Sequence, residues 1–76
     1  KMNIYQVKKY LANRIGKRAT IKYNLGRNKY ETYDVNIENI YDNVFTVSVL
    51  KKYGKEIKCF SYNDVIMRLI KIDFEK

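Results

Sequence analysis

The spacing of apolar residues changes period at Gly16-Lys17, and that switch calls for one helix followed by a body of short strands. Upstream, Ile4, Val7, Leu11 and Ile15 recur at the 3.6-residue period of a single helix face. Downstream, Ala19, Ile21 and Tyr23 alternate with Arg18, Thr20 and Lys22 at the period of two that marks a half-buried strand. Asn3 with Gln6 three residues later forms a capping-box pattern, and Met2 and Val7 are placed as a hydrophobic staple across the helix start. Gly16 supplies the stop. A helix is therefore expected over about residues 3–15 and a strand-and-turn body over about 17–75.

The body divides at its turn residues. Asn24-Leu25-Gly26-Arg27-Asn28 closes a first hairpin, because Gly and Asn tolerate positive φ. A second strand follows over about Lys29 to Ile40, with Tyr33, Val35 and Ile37 inward and Thr32, Asp34 and Asn36 outward. Tyr41-Asp42-Asn43 turns the chain into a third strand carrying Phe45, Val47 and Val49. Tyr53-Gly54-Lys55 leads to a short fourth strand in which Ile57 and Cys59 are expected to face the interior. Ser61-Tyr62-Asn63-Asp64 reads as a single helical turn capped by Asp64. A last strand ends at Phe74, and its parity slip between Met67-Leu69 and Ile70-Ile72-Phe74 reads as a bulge. The fold class is mainly β: a small five-stranded SH3-like or Sm-like barrel preceded by an N-terminal α-helix, all in one domain over residues 1–76.

Seventy-six residues are close to the lower limit for a self-sufficient core, and nothing covalent reinforces it. A lone Cys59 cannot form an internal disulfide, and a chain without His has too few ligands for a structural zinc site. The absence of His also removes the usual general acid-base group at neutral pH, and Cys59 has no imidazole to activate it. Gly16-Lys17-Arg18 lacks the leading Gly and the hydroxyl of a phosphate-binding loop. No catalytic residue, metal or cofactor is expected. The longest apolar run, Val44 to Leu50, is interrupted by Thr46 and Ser48, so neither a secretory h-region nor a membrane span is expected, and the cytoplasm is the expected location.

Charge is where the chain is unusual. Residues 1–30 hold nine Lys or Arg and no acid, whereas residues 31–76 hold seven bases and eight acids. Such a gradient favours a polyanionic partner, either nucleic acid or an acidic protein surface. The helix bases Lys8, Lys9 and Arg14 read as a solvated face. The first hairpin concentrates the rest. Lys17 stands at the helix-to-strand junction, Arg18 and Lys22 project from one strand face, and Arg27 and Lys29 bracket the turn, so these five could form one edge patch. Tyr23 and Tyr30 flank the same hairpin, as candidates either for stacking on unpaired bases or for sheet packing. Exposed strand edges of a small barrel also permit pairing into a homodimer.

Gly16-Lys17-Arg18, Gly26-Arg27-Asn28-Lys29, Tyr41-Asp42-Asn43-Val44-Phe45 and Phe60-Ser61-Tyr62-Asn63-Asp64-Val65, in that order and spacing, resemble the Veg protein family from about Val7 to Phe74. Leu25, Val35 and Asp42 depart from that family's usual Gly, Gly and Pro. The resemblance implies an SH3-like barrel behind an N-terminal helix in a small protein of Firmicutes. It further implies stimulation of biofilm formation by opposing a transcriptional repressor of matrix genes. On that basis the partner of the basic hairpin is expected to be a repressor or other regulator, with nucleic acid as the alternative.

Overall fold

The computed structural model describes residues 2–75. Helix α1 spans Ile4–Ala12 and opens with the capping box: the Gln6 N–H donates to Asn3 Oδ1 at 2.9 Å and the Asn3 N–H to Gln6 Oε1 at 3.0 Å. The helix ends three residues earlier than its apolar period suggests. Asn13 is the C-cap, and Gly16, at φ +83°, swings the chain into the first strand. Consequently Val7 and Leu11 are buried, while Ile15 leaves the stripe and is 52 % exposed, as Ile4 is at 41 %.

Five antiparallel strands follow, β1 (Arg18–Gly26), β2 (Lys29–Ile40), β3 (Val44–Lys51), β4 (Gly54–Ser61) and β5 (Ile70–Phe74), with helix α2 (Tyr62–Ile66) between the last two. They form one sheet in the order β4-β3-β2-β1-β5. The sheet curls enough to bring the Tyr23 ring on β1 within 6.0 Å of Phe60 on β4, but the ladder stays open between β4 and β5, and α2 packs against both. The mainly-β expectation therefore holds, in the form of a curled open sheet. Its interior is filled by Val7 and Leu11 from α1 together with Ala19, Ile21, Val35, Ile37, Phe45, Val47, Phe60, Tyr62 and Ile70.

Three further features differ from the sequence reading. In β4 the parity is reversed: Ile57 is 61 % exposed and Cys59 is exposed, while Phe60 is buried and Glu56 and Lys58 are half-buried. The cause is register. The two-residue turn Lys52-Tyr53 pairs Lys51 with Gly54, which sets Phe45 opposite Phe60 and Val47 opposite Lys58, and a one-residue choice of register decides which set faces the core. The parity slip before β5 is likewise no bulge. Arg68 takes φ +62°, the Leu69 N–H donates to Asp64 O at 2.9 Å, and the Arg68 N–H donates to Val65 O at 3.1 Å, which is a Schellman ending to α2. The cap at the start of α2 is Ser61, whose hydroxyl accepts the Asn63 N–H at 3.1 Å; Asp64 sits in the first turn instead. The sheet's irregularities fall at Leu25 between β1 and β2 and at Glu38 between β2 and β3.

Candidate partner-binding face

Residues alternate across β1, so Arg18, Thr20 and Lys22 lie on the outer face of the sheet and Ala19, Ile21 and Tyr23 on the inner one. The structure spreads the five predicted bases along this strand, with Lys17 and Arg18 at its start, Lys22 at its middle, and Arg27 and Lys29 at the turn beyond its end. Lys17 and Arg27 are separated by ten residues of nearly continuous strand, about 30 Å at the usual rise, so the single edge patch does not form. At the helix end, Arg18 is committed: its guanidinium forks onto Asp34, with Nε 3.0 Å from Oδ1, and lies 3.6 Å from Glu75 Oε1. The hydrogen bond and charge of Asp34 raise the Arg18 pKa, and Arg18 in turn holds the Asp34 carboxyl below its ordinary range. Lys17 is exposed beside Arg14 and Phe74.

From mid-strand to the hairpin turn the bases are not neutralised. Arg27 and Asn28 form the two-residue turn, at φ +50° and +61°, the left-handed geometry that hairpins favour and that suits Asn or Gly far better than Arg. Lys29 begins β2 beside it, paired with Gly26. Lys22 lies directly opposite Lys71 of β5, and both are exposed. Like charges facing each other across two strands are destabilising, and an anion between them would remove that penalty. The α2–β5 loop adds Arg68, held close by the Asn24 N–H donating to Leu69 O at 2.8 Å. Among the described residues, none of Lys22, Arg27, Lys29, Arg68 and Lys71 has a carboxylate within ion-pair distance. An open groove of about 430 Å³, lined by Val65, Arg68, Ile70, Lys71 and Ile72, adjoins this basic end.

Six of the eight acids are engaged elsewhere, while Asp64 and Asp73 have no ion-pair partner among the described residues, and Asp73 stands opposite Thr20, two residues along β5 from Lys71. Asp42 pairs with Lys8 at 3.2 Å, Glu56 with Lys51 at 2.5 Å, Glu38 accepts the Ser48 hydroxyl at 2.9 Å, and Glu31 accepts the Tyr33 hydroxyl. That last bond is the main reason the Tyr33 phenol is pushed up to about 12. Of the bases expected on the helix face, Lys8 holds Asp42 and Arg14, just past the helix end, lies 3.7 Å over the Tyr10 ring, while Lys9 is exposed.

The two tyrosines separate. Tyr23 turns inward against Phe60 and serves the core, because it sits on the buried parity of β1. Tyr30 lies outward, 49 % exposed, with the Lys22 ammonium 4.3 Å above its ring. Sequence reasoning missed Lys71 and Arg68, because they come from the charge-balanced half of the chain and arrive only through the long-range pairing of β1 with β5. Among the described residues no three Cys, Asp or Glu gather as a metal site, and no helix is long and apolar enough to cross a membrane.

No curated protein matches the chain. The family described as biofilm formation stimulator VEG matches residues 2–73, nearly its whole length. The matched span includes the Arg27–Lys29 turn, the Tyr41–Asn43 corner that Tyr62 clasps, and the Ser61-capped α2 that delivers Lys71 opposite Lys22. The chain belongs to the Veg family of biofilm formation stimulators.

Proposed function

We propose that this Veg-family protein stimulates biofilm formation as a non-enzymatic regulator, docking its basic end on an acidic surface of a protein that controls transcription of matrix genes. The observation that carries the reading is the exposed Lys22–Lys71 pair, with Arg27 and Lys29 at the hairpin turn beyond it, Arg68 in the loop before β5, and no carboxylate within ion-pair distance of any of the five among the described residues. A surface bearing several carboxylates would relieve the like-charge repulsion and steer association. Nucleic acid fits less well. Single-strand binders combine a basic groove with several exposed aromatic faces, whereas here Tyr23 belongs to the core and Tyr30 already carries Lys22 on its ring.

The test measures binding at low and moderate salt to three purified ligands: the matrix-gene repressor of the same host, a generic DNA duplex and a single-stranded RNA. The expected result is salt-sensitive binding to the repressor that is lost in Lys22→Glu/Lys71→Glu. Binding to nucleic acid alone, with an affinity falling steeply with salt, would replace this reading by the nucleic-acid one.

A further inference from the structure

At the end of the sheet away from β1 and β5, strand β4 has β3 on one side and no strand on the other. It is the longer and more regular of the two edges, and its inward-facing charges, Glu56 and Lys58, are of opposite sign. Its eight residues pair with β3 without a register shift, they include no Pro, and no bulge turns them aside, whereas β5 is five residues long and carries Tyr10 of α1 against Phe74. Ile57, 61 % exposed, stands at its centre with Glu56 before it and Lys58 after it.

That order is self-complementary. We infer that β4 pairs antiparallel with β4 of a second copy of this chain, centred on Ile57, to give a two-fold dimer whose sheet runs unbroken through both subunits. In this register Ile57 meets the partner subunit's Ile57 on the outer face, and Glu56 faces the partner subunit's Lys58 on the inner face, twice by symmetry. Glu56 now reaches Lys51 at 2.5 Å and Lys58 of its own strand only at 3.9 Å, so it lies among cations and has room to accept another. Those cations, Lys51 before Lys58, already hold its carboxyl below the ordinary range and keep it charged near neutral pH. The contact is confined to one strand edge and one apolar side chain, so the dimer is a weak, reversible one. It forms whatever the basic end binds.

Charge reversal tests the register. Glu56→Lys places two Lys–Lys pairs across the dyad, and Lys58→Glu places two Glu–Glu pairs there. Each variant alone is expected to dimerise at least tenfold more weakly than the wild type in sedimentation equilibrium. An equimolar mixture of the two restores Lys–Glu pairing on both sides and is expected to return to wild-type dimerisation, which a folding defect could not do. In a Cys59→Ser background, Ile57→Cys is expected to give a disulfide-linked dimer on mild oxidation, because Cα atoms about 4.5–5.5 Å apart across an antiparallel pair suit a disulfide. A wild type that stays monomeric across the concentration series overturns the inference. So does a mixture that stays monomeric while the wild type dimerises, or a Glu56→Lys variant that dimerises undiminished.

Discussion

Removing the Tyr62 hydroxyl isolates the contact that joins the two halves of the fold. The ring is fully buried and stacks on Phe45 at a centroid distance of 5.7 Å, while its hydroxyl donates to Tyr41 O at 2.6 Å. The Tyr62 N–H lies 3.4 Å from Asn43 O, so one residue ties α2 to the β2–β3 corner twice. Tyr62→Phe keeps the ring and deletes only the donor, which costs about 1 kcal/mol, rising towards 2 if the Tyr41 carbonyl is left without a partner. Tyr62→Ala also deletes the ring, for about 3–5 kcal/mol. A chain of 76 residues has roughly 4–11 kcal/mol in all, so the Phe variant remains folded and the Ala variant loses much of its stability. Each kcal/mol corresponds to about 4–8 °C in Tm for a domain of this size. Urea denaturation followed by circular dichroism measures both variants, and binding of the partner should weaken with Tyr62→Ala, since α2 positions the Leu69–Asn24 hydrogen bond and hence Lys71. A Phe variant as stable as the wild type would refute the role given to the hydroxyl. A Phe variant as unstable as the Ala variant would refute the role given to the ring.

Arg27→Asn places a residue that tolerates positive φ in the hairpin turn; it is expected to raise stability by several tenths to about 1 kcal/mol in thermal denaturation while weakening partner binding. Phe45→Ala should cost about 3–5 kcal/mol and Ile57→Ala less than about 0.5, a contrast that denaturant midpoints of dilute protein will read directly. Asp34 and Glu56 have carboxyl pKa values depressed by Arg18 and by Lys51, respectively. The stability each contributes is complete above the ordinary values of 3.8 and 4.5 and is lost as pH falls through the lowered ones. Acid titration should therefore show stability falling below about pH 4.5, with a shallower slope in Asp34→Asn.

What the sequence showed plainly was local. Asn3 and Gln6 announce the helix start because both hydrogen bonds of the capping box lie within four residues. Alternation through β1, β2 and β3 identified their buried faces because a clear apolar set occupies one parity in each. In β4 the apolar residues sit on both parities, Ile57 and Cys59 on one and Phe60 on the other, so only the turn at Lys52-Tyr53 and the partner strand decide. The end of α2 was hidden because Arg68 fills a position that usually announces itself as Gly. The basic end was half legible for the same reason. Lys22, Arg27 and Lys29 are close in sequence, while Lys71 joins them through a pairing that spans almost fifty residues.

The proposed function requires the basic end, and not the overall positive charge, to carry the activity. The decisive measurement is biofilm formation in a host lacking its own family member, supplied with the wild type, with Lys22→Glu/Lys71→Glu, or with Lys9→Glu/Lys52→Glu. The two double variants change net charge equally, and because the first also loses the Lys22 contact with the Tyr30 ring, its folding is checked by circular dichroism alongside the assay. Restoration by the wild type and by Lys9→Glu/Lys52→Glu, with failure of a folded Lys22→Glu/Lys71→Glu, is the predicted result. Equal restoration by both variants would contradict the account.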